Sequence, residues 1–311
     1  MADVRTRYWA PVEHNSTLTA ELEMVGAGKK VLEIGPGSGH LTEALAKRNC
    51  QVTCIEIDEK LTSIARSFCQ RMIVADVERV NLEDAFPGER FDVILLGDVL
   101  EHLKHPEMIL LKLRDYLQPA GYLVMSLPNV AHASVRLALL GGDFNYSEEG
   151  IIDRTHLRFF TLATIVALSR EAGYKIRELR RTRVGVFNTE VKLSIENIAV
   201  SVLRKLMRDP EATTYQFIFA AEPRQENQHS GRLETCPFHF ADRTWSFRKG
   251  KNRLARSLMR KGRALLREHD CRAARAWLYR SFMLRPRMQT LAYLVLSCTP
   301  RFGLRVRQPI C

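Results

Sequence analysis

The sequence lacks several features that would assign its class at once. No apolar stretch approaches the roughly 20 residues that a membrane-spanning helix requires, and residues 1–16 contain no apolar run of signal-peptide length. The seven cysteines are scattered, odd in number and without a Cys-x-x-Cys pair, which argues against a disulfide framework and a structural zinc site. We therefore predict a cytoplasmic protein with reduced cysteines.

Acidic residues are scarce only towards the C-terminus. The 311 residues include 47 Lys and Arg and 35 Asp and Glu, which gives a net charge of +12. Residues 226–311 hold 19 basic and 5 acidic residues, so residues 1–225 carry a net charge of −2. The basic character belongs to a tail, and we predict one domain over residues 1–225 and a basic helical appendage over residues 226–311.

The first domain has the pattern of a doubly wound α/β fold. Short apolar runs alternate with amphipathic helical stretches between residues 30 and 127. Strands separated by helices of about 10 residues imply right-handed crossovers and a mostly parallel sheet with helices on both faces. Residues 161–173 predict a further helix, and residues 174–187 and 213–223 predict an antiparallel hairpin at the sheet edge, with a helix near residues 193–208 between them.

A glycine-rich stretch, VLEIGPGSGHLT at residues 31–42, lies between the first predicted strand and helix. Glycines there let the backbone turn sharply and approach a ligand closely. Glu56 ends the second strand, where a carboxylate can accept both ribose hydroxyls of a nucleotide. Glu33 precedes the loop and suits a cation better than a pyrophosphate, so S-adenosylmethionine, with its sulfonium charge, is favoured over a dinucleotide.

The ends of the next strands complete the predicted cofactor site. Asp76 could accept a hydrogen bond from the adenine amino group, and Gly97 with Asp98 would lie beside the methionine portion. The predicted cofactor residues are Glu33, Gly35, Pro36, Gly37, Gly39, Glu56, Ile57, Asp76, Val77, Gly97 and Asp98.

These positions closely resemble the class I S-adenosylmethionine-dependent methyltransferases over about residues 25–225. FDVILLGDVLEHLKHPEMILLKLRDYLQPAGYLVMSLPN is similar to the group that contains the ubiquinone-biosynthesis O-methyltransferases and bacterial sugar and polysaccharide methyltransferases of the O-antigen type. The resemblance implies a Rossmann-like fold and S-adenosylmethionine as cofactor. One departure is QPAGYL, where the family usually has Lys-Pro-Gly-Gly, although Gly121 keeps the turn.

A hydroxyl acceptor must lose its proton during methyl transfer, so we looked for bases beyond the C-terminal ends of the strands. His102 follows the fourth strand, His132 follows the fifth, and DRTHLRFFT at residues 153–161 contains His156. Similarity of DRTHLRFFT to glycan methyltransferases implies that Asp153 and His156 belong to an acceptor pocket. The alternative is a structural ion pair of Asp153 with Arg154 or Arg158.

The predicted catalytic residues are therefore His156, His132 and Asp153. The residues expected to bind the acceptor are His102, Asn129, Arg158 and Tyr8, with Tyr8 and Trp9 covering it from an N-terminal helix. Residues 126–161 form one long insertion, which is typical of a substrate lid. Asp98, Glu101 and His102 are close in sequence, but we predict no metal.

The basic tail allows three interpretations: binding of polyanions, association with an anionic membrane surface, or the solvated face of a helical packing unit. It is loosely similar to tails that follow bacterial glycosyltransferase domains, which would place the enzyme near glycan-assembly proteins at the inner membrane. Nucleic acid is disfavoured because the tail lacks stacking aromatic motifs.

The leading functional hypothesis is methyl transfer to a hydroxyl of a sugar, either nucleotide-linked or in a growing glycan. Two alternatives remain: O- or N-methylation of a secondary metabolite, and a partner or regulatory protein that keeps the methyltransferase fold with little turnover.

Overall fold

The architecture was obtained as a computed structural model, which describes residues 17–193, 198–224, 247–268 and 270–297. Of residues 247–250 only the backbone is described. Tyr8, Trp9 and the predicted linker after residue 224 lie outside the described residues. None of the described helices is long and apolar enough to cross a membrane.

Seven strands form one sheet in the order β3-β2-β1-β4-β5-β7-β6. They are β1 Lys30–Ile34, β2 Gln51–Glu56, β3 Arg71–Val74, β4 Phe91–Gly97, β5 Leu117–Pro128, β6 Tyr174–Arg183 and β7 Thr214–Pro223. Strands β1 to β5 are parallel, and β7 runs antiparallel to both β5 and β6. The predicted parallel sheet with an antiparallel edge hairpin is confirmed.

Eleven α-helices lie in the described residues. They are α1 Thr17–Val25, α2 His40–Ala46, α3 Thr62–Ala65, α4 Leu82–Ala85, α5 Pro106–Leu113, α6 Ala133–Leu140, α7 Leu162–Glu171, α8 Val200–Leu206, α9 Phe247–Arg267, α10 Cys271–Leu284 and α11 Met288–Leu296. Helix α7 begins where the sequence predicts, because the Thr161 and Thr164 side chains form a reciprocal cap with each other's backbone N–H groups.

The sheet is covered on both faces, which explains why its central strands are apolar along their whole length. Strand β4, FDVILLG, shows this: Val93 and Leu95 pack into one apolar cluster with α1, while Ile94 and Leu96 pack into the opposite cluster with α5 and α7. All four side chains are fully buried. This arrangement brings the C-terminal ends of β1 to β5 to one edge.

The chain folds into two compact units. The first contains the described residues 17–130, 148–183 and 214–224, and so the entire sheet. The second contains the described residues 131–147, 184–193, 198–213, 247–268 and 270–297. Segments 131–147 and 184–213 thus group with the tail, whereas the sequence placed them in the domain ending at residue 225. The predicted lid, residues 126–161, is divided in the same way. Its residues 131–147 belong to the second unit, and its residues 148–161 belong to the first.

The second unit has its own apolar core, which is the physical reason for this grouping. Side chains of α6, α8, α9 and α10 are buried together, among them Leu137, Leu203, Leu258 and Trp277. Trp277 also contacts the ring of Phe187, with 5.0 Å between the ring centroids. The sequence predicts a helix near α8 and helices in the tail but none at α6, and residue spacing cannot reveal that segments so distant in sequence share one core.

Candidate active site

The glycine loop after β1 has a backbone that other residues would not easily adopt. Gly35, Gly37 and Gly39 all have positive φ, at +66°, +51° and +76°. A Cβ on Gly39 would lie 2.6 Å from the backbone nitrogen of Ala65, whereas a Cβ on Gly37 would have no atom within 4 Å. The loop is therefore packed against the protein at Gly39 and open at Gly37, where a ligand could approach the backbone.

Glu56 and Asp76 lie at or just beyond the ends of the two neighbouring strands, as predicted. Glu56 is buried, and its carboxylate accepts hydrogen bonds from the backbone N–H of Gly37 at 3.1 Å and of Asp58 at 3.0 Å. Asp76 accepts from the N–H of Glu78 at 2.9 Å. Glu56 therefore ties the glycine loop to the end of β2. Of their predicted neighbours, Ile57 is exposed and Val77 is buried.

Glu33 lies on β1 and is almost fully buried. Its carboxylate accepts a hydrogen bond from the Thr42 hydroxyl of α2 at 2.7 Å. Burial raises the pKa of Glu33 to about 7, partly offset by this hydrogen bond. In this geometry Glu33 supports the packing of α2 directly behind the loop.

The end of β4 carries a connected polar group. The backbone of Asp98 has a positive φ of +52°, and its carboxylate accepts hydrogen bonds from Ser126 at 3.0 Å and from Gln216. Beside it, a Cβ on Gly97 would meet the Glu21 carboxylate at 2.8 Å. Glu21 is buried on α1, and its Oε1 has no partner among the described residues. Burial, and then repulsion from Asp98, raise the pKa of Glu21 to about 8.

Glu101, His102 and His156 meet at the same edge of the sheet. One ligand-type atom of each lies within 4.8 Å of the others, and the two histidine rings have centroids 4.8 Å apart. The Nδ1 of His156 lies 3.2 Å from the carbonyl oxygen of Ile151, and the Nδ1 of His102 lies 3.3 Å from that of Thr155. Because a carbonyl can only accept, both Nδ1 atoms donate, which leaves each Nε2 as an acceptor while the ring is neutral.

Burial governs the protonation of this cluster. It raises the pKa of Glu101 well above the ordinary range, and repulsion from Asp98 adds to the effect. It lowers the pKa of His156, and the neighbouring His102 lowers it further. Both effects favour neutral side chains. The Oε2 atom of Glu101 is buried and has no partner among the described residues.

DRTHLRFFT is fixed to the turn that follows β4. The carbonyl oxygen of Glu101 accepts hydrogen bonds from the N–H groups of Leu157 at 2.8 Å and Arg158 at 3.0 Å. The Arg158 side chain donates to the carbonyl of Lys104. These bonds hold His156 against His102 although 54 residues separate them in the sequence. Phe160 extends the attachment by pairing with Asn129.

The expected partners of Asp153 differ from those in the structure. Asp153 accepts hydrogen bonds from the N–H and hydroxyl of Thr155, at 2.7 and 2.6 Å, and so shapes the turn before His156. Arg154 instead forms its ion pair with Glu148. The imidazole of His156 is oriented by the carbonyl of Ile151.

His132 and Asn129 have structural environments. His132, in the second unit, is fully buried; its Nδ1 accepts from the N–H of Ser134 at 3.2 Å as the cap of α6, and its Nε2 lies 3.2 Å from the carbonyl of Val184. Burial lowers the pKa of His132 to about 4. Asn129 is also fully buried, and its amide donates to the carbonyl of Thr214 at 2.8 Å. This geometry favours structural roles for both residues. His132 caps α6, and Asn129 links the end of β5 to the start of β7.

Comparison with known proteins decides the family. A sequence profile described as a methyltransferase domain matches residues 7–179, more than half of the chain. The chain belongs to the class I S-adenosylmethionine-dependent methyltransferases. This methyltransferase is 32% identical over 157 residues to a ubiquinone biosynthesis O-methyltransferase of Thiobacillus denitrificans, covering 49% of the chain and 67% of the relative. A protein of that name from Pseudomonas aeruginosa strain LESB58 is 30% identical over 159 residues, with the same coverage.

Solved methyltransferase structures also resemble this methyltransferase. The superposition with the CcbJ methyltransferase from Streptomyces caelestis covers 70% of this chain and 94% of the CcbJ chain, at 13% identity and a TM-score of 0.47. The superposition with a methyltransferase from Archaeoglobus fulgidus covers 63% of this chain and 86% of that protein's chain, at 15% identity and a TM-score of 0.46.

The cofactor of this methyltransferase is S-adenosylmethionine, and the residues at the sheet edge fit it. When bound, it supplies a methyl group on a positively charged sulfur. The open backbone at Gly37, the buried Glu56 carboxylate and the unpartnered Oε1 of Glu21 beside Gly97 are groups that could contact such a molecule.

Glu21, Ser126 and Gln216 were missed by reasoning from the sequence. Each comes from a different element, so no local spacing connects them. The one available signal is the acidic side chain of Glu21 within the otherwise apolar positions of α1 that face the sheet.

Proposed function

We propose that this methyltransferase transfers the methyl group to a hydroxyl oxygen of an organic acceptor held beside Glu101, His102 and His156, with the Nε2 of His156 accepting the hydroxyl proton. The fixed orientation of the His156 ring carries this proposal, because the Nδ1 bond to Ile151 leaves Nε2 as the proton acceptor. The half-buried position of His156 keeps it neutral and therefore available as a base.

The acceptor that suits this base is an acidic hydroxyl, such as that of a phenol. A phenolic hydroxyl ionises near pH 10, with Tyr at about 10 as the reference, whereas a sugar hydroxyl is far less acidic. Because burial lowers the pKa of His156, the ring is a weak base and matches the more acidic acceptor better. The names of the relatives support the same choice, since they are O-methyltransferases of ubiquinone biosynthesis. The sugar acceptor expected from the sequence has no such support.

A second mechanism at the same place is favoured by one observation. The Oε2 of buried Glu101 has no described partner and lies with two histidines in a group that could hold a divalent cation. A cation bound there would ionise an acceptor hydroxyl directly. The sequence predicted no metal, and this prediction remains to be tested.

Acceptor competition tests the proposal. The full-length protein is incubated with isotopically labelled methyl donor and either a catechol carrying an apolar side chain or a panel of sugar nucleotides, and products are identified by mass spectrometry. We expect label on a ring oxygen of the catechol. Label on a sugar would overturn the phenolic assignment, and label on neither would contradict O-methylation of both classes.

Chelation separates the two mechanisms. If His156 acts alone, EDTA leaves kcat unchanged. The cluster would instead be assigned to a cation if EDTA abolished activity and magnesium restored it. Glu101→Gln should then lose as much activity as the EDTA-treated enzyme. Glutamine has nearly the same shape as protonated glutamate, so the Glu101→Gln variant should fold normally. Its thermal stability checks this.

A further inference from the structure

The peptide group between Lys104 and His105, called the clamped peptide below, is held at both ends by side chains of opposite charge. Its carbonyl oxygen accepts a hydrogen bond from the guanidinium of Arg158. Its N–H donates to the carboxylate of Glu78, with 2.8 Å between the two atoms, and the other oxygen of Glu78 accepts from the N–H of Lys104 at 3.2 Å. Both charges match the direction of the peptide dipole, and hydrogen bonds to charged groups are stronger than those between neutral groups.

Glu78 belongs to the turn that follows β3. The N–H of Glu78 donates to the carboxylate of Asp76 at 2.9 Å. The carbonyl oxygen of Asp76 accepts from the N–H groups of Arg79 and Val80, at 3.0 and 2.8 Å, which closes the turn. The same turn therefore carries Asp76, which is predicted to contact adenine, and the carboxylate that holds the clamped peptide.

Arg158 lies two residues beyond His156, in the turn that carries the proposed base. Its backbone N–H donates to the carbonyl oxygen of Glu101 at 3.0 Å, and its side chain donates to the carbonyl oxygen of Lys104. Arg158 thus contacts the segment 101–105 at two separate points. The turn of His156 is attached to this segment from one side, and Glu78 holds the segment from the other.

We propose that Glu78 and Arg158 are positioning residues, which act through the clamped peptide to hold His156 at the edge of the sheet. A base must stay within hydrogen-bond reach of its proton, so a loosened turn slows the chemical step. This inference rests on the proposed function, because it takes His156 as the base. It differs from the expectation from the sequence, in which Arg158 binds the acceptor.

Two variants of the full-length protein test the clamp. Glu78→Gln keeps the shape of the side chain but can accept only through its one oxygen, and Arg158→Met keeps an unbranched side chain without a donor. With a catechol that carries an apolar side chain as acceptor, we expect kcat to fall about tenfold in each, with KM for the acceptor unchanged. The double variant should lose about as much as either single variant, because both side chains act on one peptide group.

Affinity for S-adenosylhomocysteine, measured by calorimetry, should stay unchanged in all three variants. The bond that Asp76 accepts comes from the backbone of Glu78, which these substitutions leave in place. Arg158→Lys retains the charge and a donor, so it should recover most of the kcat that Arg158→Met loses.

Matched controls remove the same charges from neighbouring positions. Arg154→Met changes the same turn, where the guanidinium pairs with Glu148. Glu107→Gln changes the first turn of α5, where the carboxylate lies 3.6 Å from the ring of His105 and does not contact the clamped peptide. Both controls should keep the kcat of the wild type.

Hydrogen exchange measured by mass spectrometry tests the clamp without depending on turnover. Backbone N–H groups exchange faster when the segment that holds them opens more often. We expect Arg158→Met to speed exchange in residues 101–105 and Glu78→Gln to speed it in residues 153–159. Each variant should thus loosen the segment that the other side chain holds.

Several outcomes would overturn the clamp. A raised KM for the acceptor in Arg158→Met alone would assign Arg158 to acceptor binding. Additive losses in the double variant, or exchange that changes only beside each substitution, would show that the two side chains act independently.

The same measurements separate the clamp from the base. If His156→Ala loses kcat while Glu78→Gln and Arg158→Met keep it, the clamp is wrong and the base stands. If His156→Ala keeps its kcat while exchange rises across the clamp as expected, the proposed base is wrong and the clamp stands.

Discussion

The Nδ1 of His156 lies 3.2 Å from the carbonyl oxygen of Ile151, five residues earlier in the same turn. This contact fixes both the tautomer and the direction of the ring, and the backbone bonds from Leu157 and Arg158 to Glu101 hold the turn at the sheet edge. A general base must be held in one place to be within hydrogen-bond reach of the proton that it accepts.

Replacement of His156 by alanine tests the base. We expect kcat to fall by about 10² to 10⁴, the usual contribution of a positioned base, while calorimetry shows unchanged affinity for S-adenosylhomocysteine. His105→Ala is the control, because His105 is an exposed residue that precedes α5 and its ring contacts only Glu107 among the described ion pairs. Equal kcat in the two variants would remove His156 from the mechanism.

Alanine at Gly37 tests the cofactor loop. Its positive φ should cost about 1 kcal/mol of stability, and the same cost is expected for Gly88→Ala, where φ is +67°. Neither new Cβ meets an atom of the protein. We therefore expect similar melting temperatures but a loss of S-adenosylhomocysteine affinity in Gly37→Ala alone, measured by calorimetry. Unchanged affinity would show that the cofactor does not approach Gly37.

The raised pKa of Glu33 predicts that the folded protein becomes less stable as pH rises. Burial raises its pKa to about 7 from an ordinary value of 4.5 in the unfolded chain. The native state therefore holds the proton more tightly, and its contribution to stability is complete below pH 4.5 and is lost as pH rises through 7. The loss should be on the order of 3 kcal/mol.

Glu33→Gln cannot ionise and should reduce the pH dependence of the free energy of unfolding between pH 5 and 8, while Glu21 and Glu101 keep their own contributions. Urea unfolding across this range is the measurement. A slope equal to that of the wild type would mean that Glu33 is ionised in the folded protein at all these pH values.

Glu21 should distinguish the charged methyl donor from its neutral product. Its unpartnered Oε1 lies beside Gly97, and its pKa of about 8 means that the carboxylate is ionised at pH 9. At that pH we expect Glu21→Gln to weaken binding of S-adenosylmethionine about tenfold and to leave S-adenosylhomocysteine unaffected. Glu23→Gln is the matched control from the same helix, where the carboxylate pairs with Arg180. Equal effects on the two ligands would place Glu21 away from the sulfonium.

Truncation after residue 225 tests the shared core of the second unit. It removes Leu258 and Trp277 and thereby uncovers Leu203 of α8. We expect faster limited proteolysis within residues 184–213, and a smaller effect of the same kind in full-length Trp277→Ala. Unchanged proteolysis would support the domain boundary predicted from the sequence.

The features of this protein that could be predicted are those that depend on residues close together in the sequence. The glycine loop, the strand-end acids Glu56 and Asp76, and the cap at Thr161 each depend on residues within a few positions of one another. The partner of Asp153, the orientation of His156 and the burial of His132 depend on contacts that spacing does not encode, and the sequence left them open or assigned them differently.

The sequence by itself determined the succession of strands, the parallel sheet and the cofactor class, because apolar periodicity, the glycine loop and the family motifs are read along the chain. Only the tertiary structure decided that Glu101, His102 and His156 meet, that Glu21 lies against Gly97, and that segments 131–147 and 184–213 share a core with the tail. The physical reason is that burial and long-range hydrogen bonds arise between segments whose separation in sequence carries no signal of their proximity.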